Sequence, residues 1–341
     1  MSLPKTFSLR VANGKTVEIP SVGYGTWASG ENSWAKDAVA EALKAGYRHL
    51  DCAWMYGVDG AVGDAIRESG IPRDEIFITS KFWPNFAHPN NVELALDMIL
   101  KNMGLEYIDL FLAHWPLVFK NLPREKLERA FTGPNSSDED KALPAEENGK
   151  RPLELEFCPF NIAKQKGATG SYVPTWKAMQ ETVRKGKAKA VGLSNFSITE
   201  IKELLPHQRD VPISCNQVEV HPWLPQRELI EFAKQEQILI TCYSPFAGQK
   251  KDGATLLKDQ QVLKLAEKNK MDVGQMLQSW AVQRGTVPLG KSATAARIKS
   301  NLDVRRLSVE DMRALDSLAI PNEEGRTINP SEGWGISLFQ N

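Results

Sequence analysis

The sequence lacks an excess of charge of either sign, and it has few cysteines. Lysine and arginine balance aspartate and glutamate at 42 residues each, so the formal net charge is zero. A neutral chain gives no electrostatic reason to expect nucleic acid or an anionic membrane as a partner. The four cysteines lie far apart without a CxxC pair, a pattern typical of reduced thiols in an intracellular protein rather than of disulfides or zinc ligands. They are Cys52, Cys158, Cys215 and Cys242.

Long apolar runs are also missing. The longest strongly apolar stretch, residues 107–113, is too short to cross a bilayer, and the first residues lack the charged and then apolar pattern of a secretory signal. We therefore expect a soluble protein of the cytoplasm. The composition is otherwise that of a globular domain, with 42% hydrophobic and 25% charged residues.

Short apolar segments alternate with helical patterns along most of the chain. Before this alternation, two β-prone runs flank Asn13 and Gly14, a pair that predicts a type I′ hairpin turn because both turn residues need positive φ. Eight predicted strands follow, separated by helices. They cover residues 21–24, 47–51, 75–80, 107–113, 190–194, 213–218, 238–243 and 286–289.

Such strands are apolar on both faces, which indicates a parallel sheet covered by helices. Eight βα units predict a single (β/α)8 TIM barrel over residues 1–341. An open doubly wound sheet is the alternative, but the first strand is not followed by GxGxxG. Residues 116–175 form an extended loop after the fourth strand, whose acidic middle at 135–141 we expect to be mobile. Residues 320–341 form a tail.

Polar side chains stand at the ends of three consecutive predicted strands. The second strand ends at Asp51, the third continues into Lys81 and the fourth into His114, while Tyr56 follows in the loop after Asp51. A barrel presents the carboxyl ends of its strands at one mouth, where catalytic residues lie. A purely structural ion pair would explain Asp51 and Lys81 alone. The convergence of all four residues favours a reaction centre.

The chemistry of this group follows from the residue types. A lysine ammonium lowers the pKa of a neighbouring phenol, so we expect Lys81 to make Tyr56 a better acid while Asp51 holds Lys81. His114 can donate a hydrogen bond to a substrate oxygen. Such a set can polarise a carbonyl and protonate the resulting alkoxide. Since none of these groups can supply a hydride, a nicotinamide cofactor is implied.

Several motifs then carry a resemblance to a known family. Residues 46–53, 56–57 and 62–63, residues 188–196 and residues 291–301 resemble the three signatures of the aldo-keto reductases, and residues 80–81 and 112–116 match the segments holding its lysine and histidine. The tail at 326–339 is similar to that of fungal NADPH-dependent aldehyde, polyol and xylose-type reductases. The resemblance implies NADPH-dependent reduction of aldehydes or sugar-derived carbonyls, with Tyr56 as the proton donor, in a monomer or homodimer.

The same resemblance implies a cofactor site and a substrate pocket. Lysine and arginine beside the adenosine 2′-phosphate favour NADPH over NADH, which has no phosphate there; NADH remains a weaker alternative. The implied cofactor-binding residues are Thr26, Trp27, Asp51, Ser194, Asn195, Gln217, Tyr243, Ser244, Phe246, Lys291, Ser292, Arg297 and Asn301. The expected substrate-binding residues are Trp27, Trp54, Trp83, His114 and Trp115, since these tryptophans follow strand ends.

Two other functions remain open. The chain could be a non-catalytic NADPH-binding regulatory barrel, although all four polar centre residues are present. A metal-dependent barrel hydrolase is the weaker alternative, suggested by His49, His88, His114 and His221. No HxH or HExxH spacing accompanies these histidines, so we expect no metal site.

Overall fold

The structure is a computed structural model that describes residues 2–28, 30–133, 135–248 and 253–339. It opens with an antiparallel hairpin of β1 (Thr6–Arg10) and β2 (Thr16–Pro20). The turn lies at Asn13 and Gly14 as predicted, with the Lys15 N–H donating to the Ala12 carbonyl at 3.3 Å, but the strands end at Arg10 and Thr16, so the connection is longer than two residues. Asn13 and Gly14 do have positive φ, 60° and 69°, but they lie inside this longer loop.

Eight further strands pair in parallel and close into a barrel, which confirms the predicted (β/α)8 fold. Each strand pairs with its sequence neighbours, and the last pairs with the first. In chain order they are β3 (Gly23–Gly25), β4 (His49–Asp51), β5 (Phe77–Phe82), β6 (Ile108–Ala113), β7 (Ala188–Ser194), β8 (Cys215–Glu219), β9 (Leu239–Tyr243) and β10 (Val287–Gly290).

The helices follow the predicted alternation and end where the sequence has helix stops. Gly104, for example, ends a helix with φ of 69° and donates its N–H to the carbonyls of Leu100 and Lys101, which glycine does without steric strain. The helices are α1 (Ala35–Ala45), α2 (Asp59–Ser69), α3 (Val92–Met103), α4 (Arg124–Glu128), α5 (Phe160–Lys164), α6 (Val173–Arg184), α7 (Ile198–Leu204), α8 (Arg227–Gln235), α9 (Gln260–Lys268), α10 (Val273–Gln283), α11 (Ala295–Leu302), α12 (Val309–Asp316), α13 (Asn322–Gly325) and α14 (Ser331–Trp334).

The two ends of the barrel are closed differently. At the amino end, Leu9 and Ile19 of the hairpin pack against Phe77, Leu110 and neighbouring barrel residues in a small buried cluster. The hairpin therefore covers this end, and the carboxyl end is left for the site. None of the described helices combines the length and the apolar character that crossing a bilayer requires. All four cysteines are buried and unpaired.

The long loop is folded against the carboxyl end of the barrel. It carries α4 and α5, and Phe119 pairs with Leu153 in an isolated antiparallel bridge. Its middle, for which the sequence predicts mobility, forms hydrogen-bonded turns. The amide of Asn85 donates to the carbonyl of Lys141 at 3.0 Å, so that middle is attached to the barrel. Local polarity did not reveal these contacts, because the partner lies far away in the sequence.

Candidate active site

The four residues at the strand ends lie together around Lys81. This side chain has no solvent-exposed area, and its Nζ lies 2.9 and 3.0 Å from the two carboxylate oxygens of Asp51. The same nitrogen donates to the carbonyl of Cys52 at 2.8 Å and lies 3.4 Å from the hydroxyl of Tyr56. Parallel strands β4 and β5 place the acid and the cation side by side, and the turn after β4 brings the phenol over them. The buried ammonium is thus fully paired.

Tyr56 is a neutral phenol in this arrangement. Burial, and next the negative charge of Asp51, raise the pKa of Tyr56 well above its usual value. Lys81 favours the phenolate, as expected, but burial and the charge of Asp51 outweigh its effect, so the pKa of Tyr56 is raised overall. The side-chain amide of Asn32 donates to the backbone carbonyl of Tyr56 at 2.9 Å and holds its turn. The hydroxyl therefore keeps a proton that it can donate.

His114 follows β6 directly and faces Tyr56. The two rings meet edge to face with centroids 5.7 Å apart, and Trp83 meets the imidazole at 5.0 Å and 90°. Burial, and next the charge of Lys81, hold the pKa of His114 well below its usual range, so the ring is neutral. Its Nδ1 is buried without a hydrogen-bond partner. A neutral imidazole in this position has a free polar atom for a ligand.

A hydrogen-bond network extends from this group across β7, β8 and β9. Gln217 donates to the Asp51 carboxylate at 2.8 Å. Asn195, in the left-handed region with φ of 66°, donates to the backbone carbonyl of His114 at 2.9 Å and accepts from the Tyr243 hydroxyl at 2.7 Å. These are three of the residues that the resemblance assigns to the cofactor. A non-glycine residue in this conformation is held there by its surroundings, as is common at functional sites.

The remaining predicted cofactor residues lie on neighbouring strands and loops. Thr26 is buried, and its hydroxyl donates to the carbonyl of Asp51 at 2.8 Å. Ser194 is buried at the end of β7, where its hydroxyl accepts from Asn195 at 3.2 Å. Ser244, with φ of 47°, and Phe246 are half-buried just after β9. Together they surround the same mouth on the side of β7 to β9.

A pair of cations follows β10. The Nζ of Lys291 lies 4.0 Å from the centre of the Trp34 ring, and burial together with the charge of Arg297 lowers the pKa of Lys291. The guanidinium of Arg297 donates to the hydroxyls of Ser292 and Thr294 at 3.3 and 2.7 Å. Among the described residues, neither cation forms an ion pair with a carboxylate. Two mutually repelling cations without an acid fit a phosphate group.

Asn301 lies at the end of this cation-bearing segment, on α11. It is buried, its backbone carbonyl accepts from the side chain of Gln278, and its side-chain oxygen faces Gly274 of α10. A Cβ at position 274 would come within 2.4 Å of that oxygen, so a larger residue there would displace the Asn301 side chain. Asn301 is thus held in place by α10.

The tryptophans that the sequence places at the mouth do not all reach it. Trp27 is 56% exposed. Trp83 and Trp115 border His114, and the Trp115 ring stacks on the imidazole with the ring centroids 6.4 Å apart. Trp54 has no exposed area, packs edge to face on Phe86 and offers its carbonyl to Thr132 at 2.7 Å. The prediction of Trp54 as a substrate-binding residue is therefore wrong, because its indole is fully buried against Phe86.

The tail supplies aromatic residues that the sequence analysis did not assign to the pocket. Trp334 meets Trp83 at 5.9 Å and Trp115 at 5.0 Å, and Phe339 meets Trp115 at 6.1 Å. The backbone N–H of Thr327 donates to the buried carboxylate of Glu219 at 2.8 Å and fixes the start of the tail on β8. The aromatic residues of the tail were the one signal in the sequence for this part of the pocket, but the sequence does not show which residues their rings contact.

The histidines proposed for a metal site are separated and occupied elsewhere. His49 contacts Thr79 at 3.0 Å inside the barrel, where burial lowers its pKa to about 3. His88 packs on Phe157, and His221 contacts Glu219 at 2.9 Å. Within the described part of the chain, no group of three or more metal-ligating side chains is found.

Comparison with known proteins agrees with this geometry. The model of the aldo/keto reductase family matches residues 21–320. A glycerol 2-dehydrogenase (NADP(+)) of Saccharomyces cerevisiae is 40% identical over 92% of each chain, and the aldehyde reductase YPR1 of the same yeast is 39% identical over 94% of each. Among solved structures, the aldose reductase of Schistosoma japonicum superposes with a TM-score of 0.75 at 32% identity, covering 92% of this chain and 93% of that one.

Proposed function

The chain belongs to the aldo/keto reductase family, and from this premise we propose that it reduces aldehydes or sugar-derived carbonyls with NADPH. The observation that carries the proposal is the packing of Asp51, Tyr56 and Lys81 within hydrogen-bonding distance, with His114 against the phenol. The similarity to the yeast glycerol 2-dehydrogenase (NADP(+)) supports the choice of cofactor.

The proposed proton donor is Tyr56. Its hydroxyl is protonated in the resting site, and an alkoxide is a stronger base than a phenolate, so transfer of this proton to a newly formed alkoxide is downhill. Lys81 lies 3.4 Å from the same oxygen and stabilises the negative charge that the phenol acquires as it gives up its proton. Asp51 keeps Lys81 charged and fixed in position through both carboxylate oxygens.

His114 is the proposed orienting group. A neutral imidazole can donate a hydrogen bond from its ring N–H to the carbonyl oxygen and direct it towards Tyr56. Trp83 and Trp115 hold the imidazole from two sides, which restricts its rotation. The aromatic surfaces formed by these indoles also exclude water from the carbonyl.

The residues after β10 suit a phosphate-bearing dinucleotide. Lys291 and Arg297 would bind its 2′-phosphate, and Gln217, Asn195 and Tyr243 would contact its nicotinamide end. When bound, this cofactor supplies the hydride. The cation pair favours NADPH, and NADH remains the weaker alternative because it lacks the group that would neutralise the pair.

Kinetics with NADPH and a panel of glyceraldehyde, aldoses and uronic acids test the proposal. For Tyr56→Phe, kcat should fall by roughly 10²- to 10⁴-fold, the usual contribution of a positioned acid, while the NADPH dissociation constant stays nearly unchanged. Tyr172→Phe is the matched control, since it removes a buried hydroxyl that has no hydrogen-bond partner. An active Tyr56→Phe enzyme would refute the assigned proton donor. NADPH binding without turnover of any carbonyl would instead favour the regulatory barrel.

A further inference from the structure

The amino end of the barrel contains a cleft that the proposed reaction does not use. It lies between the hairpin, α8 and the segments that enter β9 and β10, and its volume is about 580 Å³. The reaction centre lies at the opposite, carboxyl end of the strands. We call this space the hairpin cleft, and its principal lining residues are Phe7, Arg10, Ile230, Lys234, Leu239 and Arg284.

The charged lining of the hairpin cleft is entirely cationic. Arg10, Lys234 and Arg284 face it, and no aspartate or glutamate contributes to its wall. In the described parts of the chain, none of these three cations forms an ion pair with a carboxylate. Lys234 and Arg284 stand at helix C-termini, where a cation is favourable. That preference does not account for Arg10, which lies on β1.

Two of these cations have donor groups that are buried and unused. Arg284 donates from Nη2 to the carbonyl of Pro225 at 2.7 Å, but its Nη1 is buried without a partner. Arg10 donates from Nη2 to Gln208 at 2.9 Å, but its Nε is likewise buried and unpartnered. Burial also lowers the pKa of Arg284. Guanidinium groups with unsatisfied donors and no acid paired with them are unfavourable in the free protein, and the charge of an anion bound beside them would offset part of that cost.

The rest of the wall is apolar. Phe7 and Ile230 are half-buried, and Leu239 and Ile240 line the floor where β9 begins. A bare inorganic ion would leave this surface in contact with water, whereas a ligand with an apolar body would cover it.

We propose that the hairpin cleft binds a small organic anion, in which an apolar ring or chain carries a carboxylate or a phosphate. The anionic group would lie among Arg10, Lys234 and Arg284, and the apolar body against Phe7 and Ile230. The proposal does not depend on the reductase activity, since no residue of the reaction centre contributes to the cleft. It gives the barrel a second ligand site at the end opposite the substrate.

Calorimetric titration of the full chain, saturated with NADPH, tests this site with 1-naphthoate and 1-naphthyl phosphate. The double variant Arg10→Gln and Lys234→Gln should weaken binding of the better probe by about tenfold or more, as expected for lost charge-assisted hydrogen bonds. Lys264→Gln, which removes one exposed charge from α9, is the matched control and should bind as the wild type does. The tighter of the two probes identifies the carboxylate or the phosphate as the preferred group.

A second variant separates binding in the cleft from a general effect of charge. Ser8→Trp adds an indole to the cleft wall and leaves the cations in place, so it should also weaken the better probe by about tenfold. Wild-type affinity in Ser8→Trp would overturn the proposal. Equal affinity in the double variant and the Lys264→Gln control would also overturn the proposal. It would be overturned as well if neither probe bound at millimolar concentration.

Discussion

Polar groups around the mouth of the barrel fall into two sets, those with a partner inside the protein and those without one. Lys81 and Asp51, on adjacent strands, satisfy each other with two hydrogen bonds. Around the same mouth, one carboxylate oxygen of Asp59 at the start of α2 is buried without a partner. Lys291 and Arg297, after β10, have no acid in the described part of the protein.

Polar groups with and without an internal partner suit different functions. Groups paired within the strand network are held in one geometry before any ligand arrives, as proton transfer requires. Groups without an internal partner are unfavourable until a ligand or a proton satisfies them, and they suit recognition. The paired Asp51 and Lys81 therefore suit the chemistry, and the unpaired Lys291 and Arg297 suit recognition of a ligand.

Lys81→Met removes the cation of the paired Asp51 and Lys81 and should cause the largest loss of stability. It leaves Asp51 as a buried charge without its cation, which typically lowers the free energy of unfolding by about 3–5 kcal/mol. Denaturant unfolding measures the loss. Lys36→Met, which removes a solvent-exposed ion pair with Glu68, is the control and should change stability little. Equal losses for both variants would mean that the Lys81 pair is not desolvated.

Asp59→Asn tests the unpaired, buried carboxyl of Asp59 through the pH dependence of stability. Burial raises the pKa of Asp59 to about 8, so the native protein holds a proton that the unfolded chain releases from about pH 4 upwards. Stability of the wild type should therefore fall as pH rises from 4 to 8. At pH 8 the Asn variant should exceed the wild type by on the order of 5 kcal/mol, with the difference vanishing towards pH 4.

Denaturant midpoints of both proteins between pH 5 and pH 8 measure this difference. Asp64→Asn on the same helix is the control, because Asp64 is exposed and pairs with Arg67. Parallel pH profiles for the wild type and Asp59→Asn would contradict the assignment of a buried, unpaired carboxyl.

Arg297→Ala tests whether the unpaired cations recognise phosphate. The KM for NADPH should rise by about tenfold while the KM for NADH stays constant, since only NADPH would lose a charge-assisted hydrogen bond. Steady-state kinetics with both cofactors measure the ratio. Lys299→Ala removes an exposed charge from the same helix and should leave the ratio unchanged. An equal rise for both cofactors would indicate general damage to α11.

Trp334→Ala has the smallest expected effect and tests the aromatic rim. Loss of the indole that contacts Trp83 and Trp115 should raise the KM for aldehydes by about threefold to tenfold, with kcat within about twofold. Phe131→Ala, an exposed aromatic in the long loop, is the control. A fall in kcat at constant KM would place Trp334 with the reaction centre instead of the rim.

Much of the site followed from local sequence. Alternating short apolar strands and amphipathic helices predicted the barrel, and the positions of Asp51, Lys81 and His114 at strand ends predicted their convergence. The hairpin loop was predicted less well, since its actual length depends on how β1 and β2 pair over the barrel end.

Burial and electrostatics were decided by the tertiary structure. Trp54 follows a strand end, as Trp83 does, but its indole is fully buried against Phe86. Lys81 was expected to make Tyr56 more acidic, yet burial and the charge of Asp51 outweigh the ammonium and raise the phenol's pKa overall. Periodicity and strand-end position depend on neighbours a few residues away, and the sequence shows these directly. Solvent exposure and the balance of charge depend on groups brought together from distant parts of the chain, which only the folded structure places.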